Sequence, residues 1–209
     1  MEEALDFLIG YYRGVPAWSI GLEAIALVFG LVSVWYAQRA KVLVYPTGLI
    51  STTITVYLLW EGGLLGDMMM NLYYSGMSIY GWYNWNRTRD QIKIVTISRA
   101  SRREWVEGIG LMVITAIMTY GVYVTFRNEP LDWTNHVDIL TSGIFFTGMW
   151  FMATKKIENW TLWIIGDLIS VPLYAYRGYG LFAVQYAVFT IMAIQGYRQW
   201  NRILQEEGK

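Results

Sequence analysis

The chain has no cysteine, a single histidine and few charges: only 15% of its 209 residues are Asp, Glu, Lys or Arg. Each shortage removes a class of function. Without cysteine there is neither a disulfide framework nor a thiolate metal site. The lone His136 supports no haem or zinc pair and no triad, and no nucleophile stands beside a base, so no metal, cofactor or catalytic centre is expected. Sixteen Lys and Arg balance sixteen Asp and Glu, and no basic run is long enough to track a phosphate backbone, which argues against a nucleic-acid partner. A Gly-rich phosphate loop is missing as well, which argues against ATP hydrolysis. Soluble domains of this size carry about 25% charged residues. Here 55% of the chain is hydrophobic, with eleven Trp and sixteen Tyr.

An internal repeat organises that apolar content. The stretch from Trp18 to Arg87 returns without a gap 115 positions further on, placing Trp18 on Trp133, Trp35 on Trp150, Lys41 on Lys156 and Gly63 on Gly178. It closes with Met77, Ile79, Gly81 and Trp85-Asn86-Arg87 on Met192, Ile194, Gly196 and Trp200-Asn201-Arg202. Each copy holds three runs long enough to cross a bilayer, which takes about 20 mainly apolar residues. Val42–Trp60, Met68–Asn86, Ile109–Phe126 and Gly178–Tyr197 are uncharged spans. Pro16–Gln38 is interrupted by Glu23, Trp133–Thr154 by Asp138 and Trp160–Tyr176 by Asp167.

The sequence thus predicts an all-α membrane protein of seven transmembrane helices. They form a 3+1+3 arrangement of two parallel three-helix repeats joined by a linker helix. Three crossings leave the chain on the far side, so an odd connector is needed to give the second copy the orientation of the first. The expected organisation is a short N-terminal amphipathic segment (1–15), a first repeat (16–87), a loop (88–104), a linker helix (105–127), a second repeat (128–202) and a C-terminal tail (203–209). The first residues lack a basic leader, and their apolar part is too short to span, so neither a signal peptide nor a membrane helix is expected there. Arg39, Lys41, Lys155, Lys156 and the cluster from Arg87 to Arg103 share one side, and Glu2, Glu3, Asp6, Glu61, Asp67, Glu129 and Asp132 the other. Lys and Arg mark the cytoplasm, so the N-terminus is expected outside and the C-terminus inside. The Ile92, Ile94, Val95, Ile97 alternation in the loop suits a short strand.

Polar groups at bilayer depth point to function, because an Asp at the centre costs about 2.5 kcal/mol or more. Asp167 falls near the middle of the sixth helix, opposite Thr52 in the repeat. Asn71, Tyr74, Ser75 and Ser78 share a face of the third helix, and Gln185, Tyr186 and Phe189 one of the seventh. Taken singly, such groups serve as packing glue. Asn71, Gln185 and Asp167 converging from three helices, with aromatic neighbours, outline a pocket for a small solute. Most Trp residues, among them Trp85, Trp160 and Trp200, fall at helix ends, where the interfacial belt accounts for them. Trp163 stands apart as a ligand candidate, with Trp82 behind it. Glu23 and Asp138, paired by the repeat, suit hydrogen bonding near the outer surface, and His136 suits solvent. Pro46 and Pro172 suit tolerated kinks.

These residues carry a resemblance. Ser78-Ile79-Tyr80-Gly81-Trp82-Tyr83-Asn84-Trp85 and Glu158-Asn159-Trp160-Thr161-Leu162-Trp163-Ile164-Ile165, with Gly48-Leu49-Ile50 and with Trp18 and Glu23, resemble the PnuC family of bacterial B-vitamin precursor transporters. That family shares the arrangement of full-length SWEET sugar transporters. The resemblance implies facilitated diffusion of nicotinamide riboside between the two repeats, trapped inside by a cytoplasmic kinase, with a homotrimer as an allowed assembly. It also assigns substrate binding to Trp163, Asp167, Asn71 and Gln185, with Tyr74 and Tyr186 alongside. Two positions depart from the riboside-carrying pattern, Asp167 in place of Asn and Arg177 in place of Gln. Thiamine or another B vitamin is the alternative cargo. A membrane receptor that binds without transport is the alternative from another class, and an enzyme comes last.

Overall fold

A computed structural model describes residues 10–61, 65–89, 92–93, 95–126 and 130–207. Most of the expected N-terminal segment lies outside them; what is described begins with a 3-10 turn, Gly10–Tyr12. Seven α-helices follow: α1 (Ala17–Gln38), α2 (Val44–Glu61), α3 (Leu65–Asn86), α4 (Arg102–Phe126), α5 (Trp133–Ala153), α6 (Glu158–Tyr176) and α7 (Gly180–Glu207). The last runs ten residues beyond the span expected to end at Tyr197.

Local chemistry sets the helix ends. At the start of α5 the Asp132 carboxylate accepts from the Thr134 and Asn135 amides, and the Asn135 side chain accepts from the Asp132 amide, a reciprocal capping box. The turns after α1 and α5 are built alike. Ala40 and Lys155 hold φ of 50° and 56°, left-handed values that disfavour residues with a Cβ. In return the Lys41 amide reaches Tyr36 O at 3.0 Å and the Lys156 amide reaches Phe151 O at 2.8 Å. Those bonds close the same Schellman motif at repeat-equivalent positions. Pro46 sits in the first turn of α2, where its missing N–H costs nothing, whereas Pro172 lies inside α6.

Packing follows chain order within each copy, α1 on α2 on α3 and α5 on α6 on α7, while α4 packs chiefly on α5. The copies meet at two repeat-equivalent seams, α1 against α7 and α3 against α5. Outward faces are apolar: on α4 Val106, Ile109, Val113, Ile117, Val124 and Phe126 are all more than half exposed. Inward faces are small and polar. Thr141, Ser142, Gly143, Thr147 and Gly148 of α5 are buried, and Thr147 Oγ1 donates to Gly108 O across the α4–α5 seam at 3.1 Å. Apolar outside and small-polar inside is the pattern lipid demands of packed helices.

The deepest cluster overturns one expectation. Trp85, Trp160 and Trp200 are at most 2% exposed, so they are core residues and take no part in an interfacial belt. The indole of Trp85 donates to Met152 O at 3.2 Å and that of Trp200 to Ala37 O at 2.9 Å. These two bonds are images of one another under the repeat. Tyr45 meets Trp85 edge-on at 5.0 Å, and its repeat partner Trp160 meets Trp200 edge-on at 5.6 Å. An indole N–H at a helix end can find water or a neighbouring carbonyl, and only tertiary packing decides which.

Between α3 and α4, Thr88–Arg89 pairs with Ile92–Lys93 as a two-residue hairpin. Ser98 then forms a parallel bridge with Lys156. Lys155 Nζ donates to Val95 O, and Lys156 Nζ contacts Ser98 Oγ and Glu104, fastening the loop to the second copy.

Candidate functional site

Asp167 is 2% exposed on α6, one turn after Trp163. Among the described residues no group donates a hydrogen bond to its carboxyl, although it interacts electrostatically with the hydroxyls of Tyr74 on α3 and Tyr186 on α7. Helical spacing of four points Trp163 and Asp167 the same way. Rings close around them. Tyr74 lies 6.4 Å from Trp163, and Phe145 of α5 lies 5.3 Å from Trp163 and 6.2 Å from Tyr186, nearly parallel to both. Tyr174 stacks on Tyr186 at 5.1 Å. Tyr73 stacks on Phe146 at 3.8 Å and donates to Phe146 O at 3.0 Å, pinning α3 to α5 beside the cluster.

The structure therefore brings Trp163, Asp167, Tyr74 and Tyr186 into one neighbourhood. Asn71 sits one turn from Tyr74, and its carbonyl accepts from Ser75 Oγ, which also shares a hydrogen bond with Thr52 Oγ1 at 2.8 Å. Gln185 is half-buried on α7 next to Tyr186. Trp82 does not join them: it is 42% exposed and lines a groove on the outer face of α3 with Ile79 and Tyr83. Sequence reasoning missed Phe145 and Tyr174. An aromatic in an apolar span carries no signal of its own, because lipid and site accept it equally.

The two acids paired by the repeat, Glu23 and Asp138, are both occupied. Glu23 accepts from Tyr12 Oη at 2.6 Å. Asp138 accepts from Tyr123 Oη at 2.9 Å and pairs with Arg177 at 2.7 Å, while Arg177 also donates to Thr134. His136 is exposed.

Chemically, the centre is a buried carboxyl beside aromatic rings. It offers flat π faces, hydroxyls and one acid, with no base–nucleophile pair and, among the described residues, no cluster that would hold a metal.

Residues 20–202 match the family described as Nicotinamide mononucleotide transporter. The chain belongs to that family. Its members are membrane transporters, not enzymes. The chain is 27% identical to the nicotinamide riboside transporter PnuC of Escherichia coli, with 90% of this chain and 87% of that one covered. It is 24% identical to the riboflavin/roseoflavin transporter RibM of Streptomyces davaonensis, over 85% and 83% of the two. Among solved structures, the crystal structure of the vitamin B3 transporter PnuC matches with a TM-score of 0.69 at 20% identity, covering 95% of this chain and 86% of that one. This family member is a vitamin transporter of a bacterial membrane.

Proposed function

We propose that the chain is a uniporter for nicotinamide riboside in the bacterial inner membrane. Transport is facilitated diffusion, and a cytoplasmic kinase that phosphorylates the cargo drives net uptake. In this reading, 16–87 and 128–202 are parallel three-helix units linked by the helix in 105–127, with the N-terminus outside, the C-terminus inside and three copies assembling as a homotrimer. Substrate sits between the units against Trp163, Asp167, Asn71, Gln185, Tyr74 and Tyr186.

The observation that carries the proposal is Asp167, buried and, among the described residues, without a hydrogen-bond donor, one turn after a Trp163 flanked by aromatic rings. A carboxylate in that setting is costly until a cation or a hydroxyl meets it. Nicotinamide riboside brings both, a pyridinium ring for the Trp163 face and ribose hydroxyls for the acid and amides. A desolvated cation–π contact contributes about 2 kcal/mol. Asp167 also suits the thiazolium of thiamine, the second reading.

Opening toward the cytoplasm requires the two copies to part where Trp85 holds Met152 O and Trp200 holds Ala37 O. Being alike, the two bonds yield together under a rocking motion.

Counterflow of labelled nicotinamide riboside into proteoliposomes, with thiamine and riboflavin in parallel, tests the reading. Saturable exchange of the riboside is expected. Exchange of thiamine alone transfers the assignment to the second reading, and flux of none of the three with intact binding leaves a receptor.

A further inference from the structure

Two repeat-equivalent contacts near the centre use opposite distributions of bulk. In the first copy, Gly30 of α1 faces Ser51 of α2, and a Cβ built on Gly30 would lie 3.2 Å from Ser51 Oγ. The equivalent pair in the second copy is Phe145 of α5 and Gly166 of α6. A Cβ on Gly166 would lie 2.3 Å from Phe145 Cε1 and 2.8 Å from Cζ, closer than any real contact. One copy thus packs a glycine against a small hydroxyl, and the other a full phenyl ring against a glycine. Gly166 immediately precedes Asp167, and the ring it admits lies beside Trp163 at 5.3 Å and Tyr186 at 6.2 Å. The phenyl is 6% exposed, so the flat faces around Asp167 end on it.

We infer that Phe145, seated on Gly166, limits how large an aromatic ring the site accepts. This rests on the reading of the Asp167 neighbourhood as the substrate site, and it divides the labour within that site. The second copy supplies ring faces whose spacing the phenyl sets, and the first supplies hydroxyls such as Thr52 and Ser75. In this reading the site takes a single ring while Phe145 stays in place. Removing it opens a space of phenyl size next to Trp163 and Tyr186, into which a fused ring system can extend.

The test is proteoliposome flux of nicotinamide riboside, with one six-membered aromatic ring, against riboflavin, with three fused rings. The proteins are the wild type, Phe145→Ala, and the double variant Phe145→Gly with Gly166→Ser. The double variant installs the pair that the first copy already packs, so it keeps the test sound if the single cavity unfolds the bundle. Both variants are expected to raise the riboflavin-to-riboside flux ratio by roughly tenfold or more, the scale on which pocket volume discriminates. Gly166→Ala, which drives the phenyl into the slot, is expected to lower riboside flux while riboflavin stays excluded. A folded variant whose ratio is unchanged, both fluxes falling in parallel, overturns the inference, as does failure of both Phe145 variants to assemble. Riboside flux through the wild type reads the parent proposal separately, because the inference is read from the change in ratio between the Phe145 variants and the wild type.

Discussion

At the scale of single residues, the account places its chemistry on Asp167 and Trp163. Asp167→Asn removes the acid and keeps the shape, so folding should be unaffected and the preference should move from thiamine toward nicotinamide riboside. Competition between thiamine and nicotinamide riboside in detergent reads this, with a shift of about tenfold corresponding to 1.4 kcal/mol. An unchanged preference makes the carboxyl structural. Trp163→Ala should weaken riboside binding roughly 30-fold, the worth of a desolvated cation–π contact of about 2 kcal/mol. Titration calorimetry measures it, and unaltered affinity removes Trp163 from the site. Both residues were legible in the sequence because an acid inside an apolar span, or a Trp one turn before it, contrasts with its surroundings. Phe145 and Tyr174 were not, since their meaning comes from ring stacking across α5, α6 and α7.

At the scale of elements, close approaches between helices hold the bundle, and glycines permit them. A Cβ on Gly81 would lie 2.3 Å from the Tyr45 ring, and one on Gly196 would lie 2.6 Å from Trp160, at repeat-equivalent places. Gly81→Ala and Gly196→Ala should each destabilise by about 1–3 kcal/mol through overpacking of a rigid ring. Thermal unfolding in detergent should show a lowered midpoint for both, and a midpoint equal to the wild type would show that the rings have room to move. The repeat pairs these glycines in the sequence. The sequence reading misassigned Trp85, Trp160 and Trp200, because helix-end position alone does not distinguish an indole facing headgroups from one crossing to the other copy. The hydrogen bonds to Met152 O and Ala37 O are long-range facts that local pattern cannot hold.

At the scale of the whole molecule, duplication explains most of what was readable. A gapless repeat fixes helix number, turn geometry and seams at once, which is why the matched turns at Ala40 and Lys155 and the paired seams follow from one offset. The loop between the copies has no repeat partner, and its docking through Ser98 and Lys156 was accordingly invisible in advance. Cysteine labelling tests the orientation, and the lack of native cysteine makes the experiment clean. A single cysteine at His136 should react with a membrane-impermeant maleimide on intact cells, and one at Arg103 only after permeabilisation. The reverse pattern would invert the proposed topology. The central claim is that the cargo ring rests between Trp163 and Asp167, midway through the bundle. A structure determined with nicotinamide riboside bound tests it most directly. The pyridinium is predicted to lie flat on the Trp163 indole, within hydrogen-bonding or ionic reach of Asp167 from one of its polar groups. Density for the ligand at the outer groove near Trp82, or anywhere that leaves the Asp167 neighbourhood unchanged, would contradict the account.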